Sequence, residues 1–328
     1  IQVNAVAWSK VYRRSFYDAA GLRFPEGLVY EDQPVSSRAY ARAAAFDVLP
    51  DAGVVWRTRA DGSSLSQQTA AAANLADHNR AVELSLAELT DSGHERAAQI
   101  RALQLLTHNL AFFAHSLVGA DDAFKEQFRR GLQMLLDRVP HEEYVHTVNV
   151  RSKTIHELFL AGRTDDLERF ITDGPANVRV RPTTVTADGV LSEIGVDGVS
   201  VESRLIPDQQ TALRARILED TTTASGERVL RGYAFVRNVD LTDRDFTTTA
   251  TLVSADGSRT TVPLTHTVAP EANVAVAHDF CDFSPSGFTL TLPATPAPVP
   301  TAGTNPFRRL ELTVTVAGLT RSATLHLR

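Results

Sequence analysis

The period of the apolar residues changes near Asp173–Gly174–Pro175, and a chain that changes period must change architecture. Before the break, Leu103, Leu106, Leu110, Phe113 and Leu117 recur at spacings of three and four, the stripe of one long helix. Phe124, Phe128, Leu132 and Leu135 do the same for the next, with Asp121–Asp122 at its start, where negative charge suits the helix dipole. Tyr144, Val148, Ile155, Leu158 and Phe159 predict a further helix ending near Gly162, and Thr164–Asp165–Asp166 caps a short last one. Val139–Pro140 and Ser92–Gly93 read as breaks between helices.

Beyond the break the period is two: Val178, Val180, Val199, Val201, Leu310, Leu312, Val314 and Val316 alternate with polar residues. Asp–Gly turns recur at 188–189, 197–198 and 256–257, and Ala317–Gly318 turns a last hairpin between Leu312–Val316 and Thr320–Leu327. Roughly nine to eleven short strands predict an antiparallel β-sandwich of immunoglobulin-like type over residues 175–328. Arg308–Val316 reads as a long, cleanly alternating edge strand, able to pair with another copy.

Residues 1–69 read as mixed α/β. A short apolar run, Val3 to Trp8, leads to a helix at Ser15–Ala20 that Gly21 stops. Glu31–Asp32 then opens a second helix running to about Ala45, with Asp32 at the N-cap and Pro34 in the first turn. Two short strands are expected at Phe46–Pro50 and Gly53–Trp56. Arg38 and Arg42 read as a solvated helix face. This segment is too small to close a core of its own. The predicted organisation is therefore multidomain: an α/β segment at 1–69, a helical segment at 70–174 and the sandwich at 175–328.

With 22% charged and 43% hydrophobic residues, the 328-residue chain has the profile of a soluble globular protein. The net charge of −6 argues against a general nucleic-acid surface, and no window reaches the ~18 apolar residues of a membrane-spanning helix. One cysteine, Cys281, excludes an internal disulfide framework and suits a reducing compartment. Residues 1–66 carry eight basic against seven acidic side chains, a slightly cationic stretch in an acidic protein. His141 and His146 are five apart, not the four of a zinc helix, and His278 lacks the partners that would make Cys281 a metal or thiol site. Neither a Walker A loop nor a dinucleotide fingerprint occurs.

Four blocks in residues 1–69 carry a family resemblance: Trp8–Ser9–Lys10, Phe24–Pro25–Glu26–Gly27, Tyr30–Glu31–Asp32–Gln33, and Arg59–Ala60–Asp61–Gly62–Ser63–Ser64–Leu65–Ser66. In that order they resemble the second half of a family 2 glycosyltransferase catalytic domain, of the inverting GT-A (Rossmann-like) type. Ser9 departs from the pattern, Asn being common before the Lys. The resemblance implies transfer of a sugar from a nucleotide-diphosphate donor to an acceptor hydroxyl, with Asp32 as general base and Glu31 shaping the acceptor pocket or orienting Asp32. Lys10, Arg57, Arg59, Ser63 and Ser64 are then candidates for the donor diphosphate or the acceptor, through charge-assisted and hydroxyl hydrogen bonds. The family's nucleotide-binding half and its Asp–x–Asp metal motif would precede Ile1. The chain does not begin with Met, so a preceding natural portion is expected, with a divalent metal (Mg or Mn) bound there and none bound by residues of this chain. The fragment alone is expected to be inactive.

In architecture the chain is also similar to glycosyltransferases that decorate or build cell-wall polyol-phosphate polymers, the wall-teichoic-acid type. That similarity implies a polyol-phosphate or glycan acceptor, a cytoplasmic location that extends to the inner face of the membrane, and a homo-oligomer formed through the sandwich. The rival expectation is a non-catalytic oligomerisation or polymer-binding module of a larger cell-envelope protein.

Overall fold

The computed structural model describes residues 6–48, 70–173, 181–254, 257–292 and 308–327. The chain divides into two compact units, Ile1–Gly174 and Pro175–Arg328. One is helical and the other is built of antiparallel sheets.

The first unit opens with a 3₁₀ turn at Ala7–Ser9, followed by α1 (Arg14–Ala19), α2 (Asp32–Arg42), α3 (Ala72–Thr90) and α4 (Glu95–Gln104). The α4 helix continues through a π turn at Leu105–Asn109 into α5 (Leu110–Ala114). Then come α6 (Asp122–Leu136), α7 (His141–Thr147), α8 (Val150–Leu160) and α9 (Thr164–Asp173). Residues 6–48 hold no strand, contrary to the mixed α/β expectation, and 46–48 are irregular. The carbonyls near the start are used locally instead. Ser9 Oγ and Lys10 Nζ both donate to the Val6 carbonyl, at 3.0 and 2.6 Å, and the Lys10 N–H closes on Ala7. The second expected strand, Gly53–Trp56, lies outside the described residues.

Gly21 ends α1 as its sequence position suggests. Its φ of 61° is the left-handed conformation of a helix stop, and the Leu22 N–H reaches back to the Tyr17 carbonyl at 3.1 Å. Arg42 is exposed as expected and Arg38 only partly so, and both are held. Arg38 Nη1 donates to the Gly21 carbonyl at 3.0 Å and Arg42 Nη1 to the Ala20 carbonyl at 2.6 Å. They satisfy acceptors that the end of α1 leaves open. Arg38 also forks onto Glu88 of α3.

The stripe from Leu103 to Leu117 is buried as expected, but the helix carrying it is not one continuous α-helix. In the π turn the Thr107 carbonyl accepts from Asn149 Nδ2 and from Ser152 Oγ, both at 3.1 Å, so the start of α8 fixes the irregular turn. Asp121–Asp122 stand at the start of α6 as expected, and Asp121 is also its cap, Oδ1 accepting from the Phe124 N–H at 2.7 Å.

The second unit contains β1 (Thr183–Thr186), β2 (Gly189–Ser192), α10 (Val201–Arg204), β3 (Leu213–Thr222), β4 (Arg228–Val236), β5 (Phe246–Val253), β6 (Arg259–Val262) and β7 (Leu264–Thr267). After these come α11 (Glu271–Ala275), β8 (Gly287–Leu292), β9 (Arg308–Val316) and β10 (Leu319–Leu327). Beside the β1–β2 hairpin stand two four-stranded antiparallel sheets, ordered β3-β4-β8-β7 and β10-β9-β5-β6. Their shared core holds Tyr233, Phe288 and the stacked pair Phe235–Phe283, with ring centroids 4.2 Å apart.

β9 pairs with β10 on one side and β5 on the other, so it is an inner strand and not the expected edge, and its Leu310, Leu312, Val314 and Val316 are fully buried on one face. The edge is β10. Ala317 and Gly318 both have positive φ (49° and 83°), the two-residue type I′ turn whose twist matches its strands.

Gly232 on β4 has no room for a side chain. A Cβ there would press on the Arg216 carbonyl of β3 and lie 2.9 Å from Phe288 Cζ. Gly232→Ala is expected to destabilise the second unit by ~1–3 kcal/mol. The check is hydrogen exchange of the β4 and β8 amides, which should accelerate while those of α3 do not.

Candidate active site

The loop before α2 turns at Gly27, whose φ is 68°, buries Leu28 and leads through Tyr30 into the helix. Glu31, not Asp32, is the N-cap, and its side chain makes no capping bond. Asp32 is the first helical residue. An N-cap side chain at position 32 would seek the N–H of residue 34 or 35, and Pro34 has none. The Asp32 carboxylate turns instead to the N-terminal segment and accepts from the Ala7 backbone N–H.

Asp32 is half-buried, and burial pushes its carboxyl above the ordinary aspartate range; the Glu31 charge adds, while the Ala7 hydrogen bond and the Lys10 charge oppose. Lys10 lies 5.8 Å from the centroid of the Tyr40 ring. Burial lowers its ammonium, with Asp32 opposing and Arg101 reinforcing. Arg101, on α4, is only 7% exposed; its Nη2 donates to Gln33 Oε1 at 3.0 Å. Burial lowers this guanidinium too, and the Asp32 charge opposes. One carboxylate and two partly desolvated cations thus share the start of α2.

Behind them the Tyr30 hydroxyl donates to Asn74 Oδ1 at 2.7 Å. The Tyr30 ring meets His78 edge-on at 5.2 Å, and His78 meets Phe113 at 4.9 Å. His78 is 3% exposed, and neither ring nitrogen has a partner in hydrogen-bonding geometry, although the Asn79 amide lies close enough to act on it. Tyr12 and Tyr30 both feel the Asp32 charge, though burial is what chiefly raises their hydroxyls.

The structure therefore brings Lys10 and Asp32 together and places Glu31 beside them, exposed. Arg57, Arg59, Ser63 and Ser64 lie outside the described residues. The described residues contain no group of three His, Cys, Asp or Glu side chains that could hold a metal ion. Cys281 is buried and its thiol is pushed up to about 12, chiefly by burial, which leaves it without nucleophilic character at neutral pH.

Arg101 and His78 are the site residues that sequence reading missed, although both leave a trace. Arg101 occupies an apolar-face slot between Ala98, Ala102 and Leu105, and His78 does so between Leu75 and Val82. A polar residue on the buried stripe of a helix needs a reason to be there.

No family model matches the chain, and no curated protein does. Among solved structures the chain is similar to the crystal structure of S. aureus TarS at a TM-score of 0.39 and 12% identity, over 97% of this chain and 50% of that one. A structure of S. aureus TarS 217-571 gives 0.34 and 9%, over 77% and 64%. The outer membrane decaheme cytochrome OmcA gives 0.18 and 11%, over 35% and 22%. The chain spans half the length of the first. Likeness at these scores carries no inference about fold or chemistry.

Burial, reinforced by Arg101, lowers His78 from 6.5 to about 4. Between those values the unfolded chain binds a proton that the native state does not, so stability is present above pH 6.5 and is lost as pH falls to 4. At ~1.4 kcal/mol per unit, the loss is on the order of 3 kcal/mol. His156 on α8, lowered by burial to about 3, adds a loss over the same range. Urea midpoints of the helical unit at pH 7 and pH 4.5 check the His78 share: His78→Leu should reduce the pH dependence by about half, and an unchanged one would contradict it.

Proposed function

We propose that residues 6–48 form the acceptor side of an inverting glycosyl transfer site of the family 2, GT-A type. The observation that carries this reading is Asp32, a half-buried carboxylate with raised proton affinity at the start of α2, flanked by Lys10 and Arg101. Inversion needs a base that takes the acceptor's hydroxyl proton as that oxygen attacks the sugar. Raised affinity makes Asp32 the better base, and the Lys10 charge limits how far it rises. Glu31, exposed at the N-cap, shapes the acceptor pocket. Lys10, with Arg57, Arg59, Ser63 and Ser64, serves the diphosphate or the acceptor. The donor is a nucleotide sugar, and the acceptor is a polyol phosphate or glycan of a cell-wall or surface polymer. A divalent metal would belong to the full-length protein, at a site outside the described residues.

We read the second unit as immunoglobulin-like. With β3, β4, β5, β7, β8, β9 and β10 taken as A to G, its sheets are ordered A-B-E-D and G-F-C, and β6 is an added edge strand. The open side of β10 supports self-association of the parent protein through this unit. Chain-wide, no helix among the described residues is long and apolar enough to cross a membrane, and a cytoplasmic site of action, extending to the inner membrane face, fits the single buried cysteine. The second reading makes the chain a non-catalytic binding or oligomerisation module. It draws on the outer face of the β9–β10 hairpin, where Thr313 meets Ser322 at 2.7 Å and Thr315 meets Thr320 at 2.9 Å in hydroxyl rows suited to a polyhydroxylated polymer.

The test is Asp32→Asn in the full-length protein, assayed for transfer with a panel of nucleotide sugars. A loss of ~10²–10⁴-fold is expected with folding retained. Wild-type transfer would remove Asp32 from the mechanism.

A further inference from the structure

The helical segment contributes more than packing to the start of α2. Arg101 Nη2 holds Gln33 Oε1 at 3.0 Å, one residue along from Asp32, and Phe113 supports His78, which in turn supports Tyr30, two residues before Asp32. Arg101 and Phe113 lie on one helical run, twelve residues apart. In an unbroken α-helix, at ~100° per residue, they would point about 120° apart. The π turn at Leu105–Asn109 takes up one extra residue and recovers about 100° of that difference. Both side chains then meet the same neighbourhood. The turn is itself pinned from α8, since Asn149 and Ser152 both donate to the Thr107 carbonyl.

We propose that Arg101 is a positioning residue for Asp32, aimed at the start of α2 by the π turn and fixing it through Gln33. This rests on reading Asp32 as the group that accepts the proton. The mechanical part is the Gln33 contact, which ties the first turn of α2 to α4 across 68 residues of sequence. The electrostatic part is a desolvated positive charge that Asp32 feels, as Arg101 feels Asp32. The charged and titratable groups around Asp32 are Glu31 beside it, Lys10 from the N-terminal segment, Tyr12 and Tyr30, Arg101 on α4, and His78 on α3 behind Tyr30. Of these, Lys10 and Arg101 are the cations; Lys10 lies over the Tyr40 ring of α2, and Arg101 hydrogen-bonds to its first turn through Gln33.

The experiment follows the Asp32 carboxyl carbon by NMR from pH 3 to pH 8 in the whole chain, with the signal assigned by its loss in Asp32→Asn. In Arg101→Met the Asp32 midpoint should rise, and exchange of the first-turn amides of α2 should quicken ~10-fold, the equivalent of one charged hydrogen bond. Arg101→Lys, which keeps the charge and a donor, should return the midpoint toward wild type. A residue with a purely packing role would not show that recovery. Asn149→Ala combined with Ser152→Ala loosens the π turn at a distance and should move the midpoint the same way by less. An unchanged midpoint and unchanged exchange in a folded Arg101→Met protein would overturn the proposal. If the midpoint moves but Asp32→Asn supports wild-type transfer, the catalytic reading fails while the hold of Arg101 on Asp32 stands.

Discussion

The seam between α2 and α3 fixes everything that matters at the candidate site. Small side chains let the two helices approach closely, and at the contact Ser37 and Ser85 share a buried hydrogen bond of 2.7 Å. Each hydroxyl has a partner, which offsets part of the cost of burying the pair. Arg38 then closes the seam by reaching Glu88 on one side and the Gly21 carbonyl on the other. The apolar cluster of Ala20, Leu22, Val35 and Ala39, packed by Tyr12, Phe16 and Tyr17, seats α1 against α2 beside this seam. Once α2 is held along its length, the direction of its first turn is settled. Asp32 therefore sits on a rigid element rather than on a loop.

That placement works against stability. A carboxylate drawn half out of water is disfavoured in its charged form, and its proton affinity rises as a result. Two cations nearby offset part of the penalty, but they are themselves partly desolvated and act on each other unfavourably. Asp32 is the first helical residue rather than the cap. Its half-buried carboxylate accepts from the Ala7 N–H of the N-terminal segment and from its own backbone N–H, and neither bond offsets the cost of burial. Arrangements that cost stability and raise basicity at once are typical of sites that move protons.

Much of this was legible in the sequence where the signal is local. Gly21 as a stop, the acidic pair Asp121–Asp122 at a helix start and Ala317–Gly318 as a turn each depend on the preference of one or two residues, and each appears where expected. The period-two alternation after residue 175 is likewise a local property of strands. Some misses are local, as with Asp32 for Glu31 at the N-cap and the strand expected from Phe46, but others are relations between distant residues. Arg38 looks solvated until the end of α1 and Glu88 are brought beside it, and β9 looks like an edge until β5 pairs with it. The π turn leaves no mark on the three–four spacing of its leucines, because its cause is a pair of side chains some 40 residues further on. At the candidate site, Asp32 and Lys10 were singled out through the family resemblance of short motifs. Arg101 and His78 were hidden as polar residues on otherwise apolar helical faces.

The claim at the centre is that the start of α2, with Lys10 and the helices behind it, is the surface that meets an acceptor. The most direct measurement is backbone amide shift mapping of the whole chain during titration with a defined polyol-phosphate oligomer. Shifts should concentrate at Tyr30–Gln33 and Lys10, with Arg101 and His78 responding behind them, and saturate together. Shifts confined to residues 175–328, or none at millimolar oligomer, would contradict the claim and return this chain to the class of binding modules.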